Sequence, residues 1–106
     1  MYKRQSEGCN IEGHIDFSVL FAGVTIEPGA VVRDSIIMPN TTIKKGAVVE
    51  YAIVGEDCVI GENVKVGARP ESIEDKDTWG VAVIGHGVTV SDNAEIKPKA
   101  MISADV

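Results

Sequence analysis

Long apolar runs, aromatic rings, cysteines and positive charge are all scarce in this chain of 106 residues. No uninterrupted apolar stretch approaches the roughly 20 residues that cross a bilayer as a helix. No charged start, apolar centre and small-residue cleavage site mark a secretory leader. The expectation is a cytoplasmic protein without a membrane partner. Lys and Arg number 10 against 16 Asp and Glu, a formal net charge of -6. Nucleic-acid binding needs a basic face, so nucleic acid is not an expected partner. The two cysteines, Cys9 and Cys58, make neither a disulfide framework nor a metal-ligand spacing. Aromatics are only 5% of residues. A core without large rings must be filled by many small aliphatic side chains, which suits stacked repeats better than a compact sandwich.

Those aliphatics fall at a fixed rhythm. Leu20, Ile26, Val32, Ile37, Ile43, Val49, Val54, Ile60 and Val66 follow one another at steps of 6, 6, 5, 6, 6, 5, 6 and 6 residues. Three steps sum to 17, and at that period "IDFSVLFAGVTIEPGAV", "VRDSIIMPNTTIKKGAV" and "VEYAIVGEDCVIGENVK" superpose. The six-residue step returns at Ile84, Val90, Ile96 and Ile102. With each of these residues as position one of a hexad, position five holds Val24, Ala30, Thr41, Ala47, Cys58, Val64, Val88, Ala94 and Ala100, all small or β-branched. Positions three and four include Pro28-Gly29, Pro39-Asn40 and Pro98-Lys99, and Gly, Asn or Asp fills most other fourth positions. Proline fixes φ near −65°, and Gly, Asn and Asp tolerate positive φ, which together suit a type II turn. An amphipathic helix would need apolar steps of three and four and far less glycine and proline.

The hexads therefore predict an all-β, single-stranded parallel β-helix of about five triangular coils, with positions one and five inside. Two stretches depart from the pattern. "MYKRQ", residues 1–5, is set apart as a linker or an artefact of sequence assembly, leaving 6–106 as the domain. The polar segment 68–80 reads as a loop inserted at a corner. Its lone Trp79 is a candidate contact anchor.

Chemistry is hard to find in such a chain. His86 in "IGHGV" occupies a turn position filled elsewhere by Glu56, Glu62 and Asp92, and the simpler reading is a solvated corner. A corner histidine of a hexapeptide acyltransferase, deprotonating an acceptor bound beside coenzyme A, is the sharper one. His14 falls in an irregular first coil and reads in the same way. Cys58 takes an inward position shared with Ala and Val, and Cys9, 17 residues before Ile26, reads as inward too. Asp34 and Ser35 form a corner equivalent to "DFS" and "EYA" and not a nucleophile with its base. No glycine-rich phosphate loop and no metal ligand set stand out. Arg33, Lys44 and Lys45 lie within one coil length and are candidate regulatory anion contacts; scattered solubilising charge is the simpler reading.

The wording of the repeats carries a more specific signal. "SVLFAGVTIEPGAVVRDSIIMP", Ser18 to Pro39, resembles the C-terminal β-helix of bacterial glucose-1-phosphate adenylyltransferases, the ADP-glucose pyrophosphorylases. "GCNIEGHID" looks like the entry into that helix, "KKGAVVEYAIVGEDCVIGENVKVG" its continuation and "VAVIGHGVTV" its re-entry after a variable loop. The resemblance covers roughly Glu7 to Ile102 and implies a left-handed coil, an exception to the usual right-handed crossover. It implies an assembly and regulatory domain of an enzyme that makes ADP-glucose from ATP and glucose 1-phosphate for glycogen synthesis. Mg²⁺ and ATP would belong to a nucleotidyltransferase domain outside this stretch, so no cofactor and no catalytic residue are expected here. The partners implied are that domain and the sister subunits of a homotetramer. The alternatives are the acyltransferase and the β-helix of another sugar-nucleotide synthetase.

Overall fold

The computed structural model describes residues 3–5, 8–68 and 80–106. The inserted segment except its ends, Trp79 included, lies outside the described residues. Strands β1 (Lys3–Gln5), β2 (Asn10–Ile11) and β3 (His14–Asp16) make the first coil. β4 (Ser18–Leu20), β5 (Thr25–Ile26) and β6 (Val31–Arg33) make the second, and β7 (Ile36–Ile37), β8 (Thr42–Ile43) and β9 (Val48–Glu50) the third. β10 (Ala52–Val54), β11 (Val59–Ile60) and β12 (Lys65–Val66) form the fourth, and β13 (Ala82–Ile84), β14 (Thr89–Val90) and β15 (Glu95–Ile96) the fifth. β16 (Met101–Ile102) begins another turn.

Every third strand pairs, always in parallel, so the coils stack into three walls. The first sheet runs β1-β4-β7-β10-β13-β16, the second β14-β11-β8-β5-β2 and the third β15-β12-β9-β6-β3. This is the β-helix that the hexads predict, and its topology is consistent with the left-handed coil of hexapeptide proteins. No helix of the described residues is long and apolar enough to cross a membrane.

The hexad positions do what their chemistry requires. Of the thirteen position-one residues, from Leu20 to Ile102, all but Ile102 are buried, and Ile102 is half-buried at the open end. At position five Val24, Ala30, Thr41, Ala47, Cys58, Val64 and Val88 are buried; Ala94 and Ala100, near the same end, are half-buried. All nine fourth-position residues, Gly23, Gly29, Asn40, Gly46, Asp57, Asn63, Gly87, Asn93 and Lys99, have positive φ. Two corners of the prism are thus turned by a two-residue bend with its second residue left-handed.

The five-residue step has a separate cause. It falls where the chain passes from the third sheet to the first. There a single residue turns the corner: Phe17 (φ 47), Asp34 (φ 50) and Tyr51 (φ 48). The residue after each points inward and is small. Ser18 Oγ accepts from Ser35 N at 3.1 Å, and Ser35 Oγ accepts from Ala52 N at 3.2 Å. Each hydroxyl also donates to the carbonyl two residues back, Asp16 or Arg33, at 2.8 Å. The serines therefore satisfy backbone groups that the tight corner would otherwise leave unpaired inside the prism.

The lower end departs from the 17-residue period. Ile11 pairs with Ile26 and Gln5 with Leu20, an offset of 15, before His14 and Val31 restore 17. Cys9 consequently does not oppose Ile26. It lies beside Val24, half-buried against the core, with its thiol 3.1 Å from Phe21 O. The same short coil brings Lys3–Gln5 onto the first sheet as β1, so a segment without the hexad pattern still extends the ladder.

Candidate functional site

The prism offers corners, three outer walls and two ends as places for function. His86 is exposed on the corner between the first and second sheets, directly above Glu56, since Gly87 N donates to Glu56 O at 2.9 Å. His14 is exposed at the other end of the molecule, and its Nε2 is 2.7 Å from Asp16 Oδ2. The hydrogen bond from His14 is the main reason that the Asp16 carboxyl is held below the usual carboxylate range; desolvation opposes it, and the charges of His14 and Arg33 add smaller lowering effects.

This pair carries a pH signature. A depressed folded-state pKa stabilises the protein above the unfolded value, here about the ordinary 3.8, and that contribution disappears as pH falls through the lowered folded value. Asp16→Asn should therefore lower the melting temperature slightly at pH 6, and the difference should shrink as pH falls toward 2. A gap of equal size at both values would show that the carboxylate charge is irrelevant. The effect is small because both partners are solvated.

Arg33, Lys44 and Lys45 are not brought together. Arg33 ends β6 on the corner between the third and first sheets, where its Nη1 donates to Glu50 Oε2 of the next coil at 3.1 Å. Register stacks Asp16, Arg33 and Glu50 as acid, base and acid along that edge. The guanidinium is thus engaged within the protein. Lys44 and Lys45 follow β8 on the corner between the second and third sheets, Lys44 half-buried and Lys45 exposed. The backbone N–H of Lys45 donates to Glu27 Oε1 at 3.1 Å. The whole third sheet separates the lysines from Arg33.

Cys58 is not poised for reaction. Cys58 is buried, with its Sγ 2.9 Å from Gly85 O, and burial pushes its thiol pKa up. No group of three His, Cys, Asp or Glu among the described residues is placed to hold a metal ion. Asp34 and Ser35 are a corner and its buried neighbour, as the repeat predicts.

What the hexad reading did not single out is a difference between the three outer walls. The outward residues of the second sheet are Asn10, Thr25, Thr42, Val59 and Thr89. Those of the third are His14, Val31, Val48, Lys65 and Glu95. Those of the first, from β4 upward, are Val19, Ile36, Ile53, Val83 and Met101, an uncharged apolar column. Every third residue preceding a position-one residue carries this signal, and sorting those residues by wall reveals it.

Comparison with known proteins agrees with the architecture. Residues 4–91 match the family model described as GlmU-like, C-terminal hexapeptide. Glucose-1-phosphate adenylyltransferases of Bacillus thuringiensis (strain Al Hakam) and Bacillus anthracis are each 49% identical over 82 residues, 77% of this chain. The chain spans only about a fifth (20%) of the length of these curated relatives. Among solved structures, the acetyltransferase domain of PglB from Neisseria gonorrhoeae FA1090, in complex with acetyl coenzyme A, superposes with a TM-score of 0.60. That match covers 90% of this chain and 48% of the other at 21% identity, a likeness of fold alone. With most of its length matched by the family model and its core set by the same hexads, the chain belongs to the GlmU-like C-terminal hexapeptide family.

Proposed function

We propose that this chain is the assembly and regulatory β-helix of a glucose-1-phosphate adenylyltransferase, an enzyme acting in the cytoplasm in glycogen synthesis. The observation that carries the reading is 49% identity to a fifth of such enzymes, across 77% of this chain. On this reading ATP, Mg²⁺ and glucose 1-phosphate are handled by a nucleotidyltransferase domain, and the β-helix holds that domain and its sister subunits in place. Lys44 and Lys45, without the internally engaged Arg33, are the basic residues left to meet a phosphorylated effector.

The test is a transplant. The pure chain, given ATP, glucose 1-phosphate and Mg²⁺, should form ADP-glucose only at background. Replacing the matching segment of the Bacillus anthracis enzyme with this chain should retain turnover within about tenfold, or ~1.4 kcal/mol of transition-state stabilisation. Lys44→Ala with Lys45→Ala in that chimera should raise the effector concentration for half response and leave the unactivated rate intact. Turnover by the pure chain, or a dead but folded chimera, would refute the assignment.

A further inference from the structure

Between the first and second sheets the inward residues step by six: Leu20 to Ile26, Ile37 to Ile43, Val54 to Ile60 and Ile84 to Val90. The bend in each step carries one residue with positive φ, Gly23, Asn40, Asp57 or Gly87. After β16 the rule breaks. Val106 N donates to Thr89 O at 3.1 Å and Ser91 N donates to Val106 O at 2.8 Å, so Val106 stands opposite Val90, only four residues after Ile102. No residue from 103 to 106 has positive φ. The chain crosses this corner directly, two residues short. That shortfall leaves one rung without its main-chain acceptor. In the regular coils the first N–H of each second-sheet strand donates to the position-five carbonyl of the coil above: Thr25 to Thr41, Thr42 to Cys58 and Val59 to Val88, each at 3.0 Å. Thr89 is next in that column, and its N–H donates instead to the side chain of Asp105, to Oδ1 at 2.8 Å. The N–H groups of Glu27, Lys44 and Gly61 donate to the position-one carbonyls Ile43, Ile60 and Val90, and Ser91 to Val106 continues that series. Both bonds of a further rung are thus made with two fewer residues, one of them by a carboxylate.

We propose that residues 103–106 are an end strap, with the Asp105 carboxylate in place of a main-chain carbonyl, that closes the second sheet against pairing with a further strand. A strand edge with free N–H groups is a template for any extended chain, and folded proteins blunt such edges. A carboxylate suits the task. It accepts from Thr89 as a carbonyl would, but an ionised carboxylate has no hydrogen to donate onward. Its charge stands exposed at the edge, which discourages an incoming strand. Val106 supplies the second bond and lies over Val90, itself 48% exposed because it covers the core at this end. The missing two-residue bend is what separates the strap from a regular coil: without it the next strand cannot keep the register of β14 and the strands below.

Amide hydrogen exchange of the 106-residue chain, read residue by residue by NMR, tests the strap. Asp105→Ala should speed exchange at Thr89 by about tenfold or more, because its only acceptor is gone, and leave Val59, bonded one coil below, unchanged. Asp105→Asn should keep the protection within about threefold, since an amide oxygen accepts the same bond. Asp105→Ala combined with Val106→Pro, which has no N–H to give Thr89 O, should free the edge altogether. At about 200 µM that double variant should gain thioflavin T fluorescence, the signature of added strand pairing, while the unaltered chain and Asp105→Asn gain none. Unchanged protection of Thr89 in Asp105→Ala overturns the proposal. So does a double variant that exposes Thr89 and Ser91, keeps Val59 protected and still shows no more strand pairing than the unaltered chain.

Discussion

Ile43→Asp should unfold the prism at room temperature. Ile43 is completely buried in β8, with Ile26 in register below and Ile60 above. A carboxylate there has aliphatic neighbours on the same wall and no cation among the buried core residues to pair with. An unpaired charge so placed costs ~3–5 kcal/mol, added to the loss of the isoleucine packing, ~2–5 kcal/mol. A domain of this size has only ~5–15 kcal/mol to lose. Stacked coils aggravate the effect, because each coil is held almost entirely by the ones above and below it. Lys44→Asp, one residue on, should leave the fold intact, since Lys44 points out of the corner. Far-UV circular dichroism and thermal melting of the two variants check this directly. Equal damage from both would show the inward register to be misassigned.

That register was legible because it rests on periodicity. Steps of 6, 6 and 5 place Ile43 inside without knowledge of handedness or loop shape. The turn chemistry was equally open to reading: Pro-Gly and Pro-Asn pairs mark positive φ, and all nine fourth positions have it. The five-residue corner is legible only as a shorter step. Phe17, Asp34 and Tyr51 share no residue type that announces a left-handed conformation. Their φ is imposed by coil closure, with Ser18 and Ser35 satisfying the backbone behind. The first coil was misjudged for a related reason. Its offset of 15 comes from register with β4 and β5, and two missing residues leave no mark when the repeat has no earlier coil to compare. The three basic residues looked like neighbours because sequence distance ignores the prism. Arg33 and Lys44 are 11 residues apart along the chain but stand on different edges of it. The apolar wall went unnoticed because the hexads were sorted by inward position alone.

A pair of glycine substitutions separates the two things a corner asks of its residue. Gly67 and Gly87 have nearly the same backbone, φ 71 and φ 68. Alanine at either must adopt a conformation that costs an L-residue ~1–2 kcal/mol. At Gly87 nothing lies within 4 Å of where the new methyl would stand, so that is the whole cost. For a domain this small it should lower Tm by about 4–16 °C. Asparagine at this site should do less harm, because Asn40, Asn63 and Asn93 already hold the same conformation at other corners. Gly67 differs in its surroundings. It sits above Glu50 where the third sheet leads toward the inserted segment, and its N–H donates to Ile96 O at 2.8 Å. A methyl at Gly67 would overlap the backbone carbonyl of Glu50, which cannot rotate aside as a flexible side chain would. Either the coil shifts or the ladder with β9 opens. Gly67→Ala should therefore lower Tm by at least twice as much as Gly87→Ala, and Gly67→Asn should give no relief. Equal losses at the two sites would mean that the Glu50 corner yields easily, and that Gly67 answers only to backbone conformation.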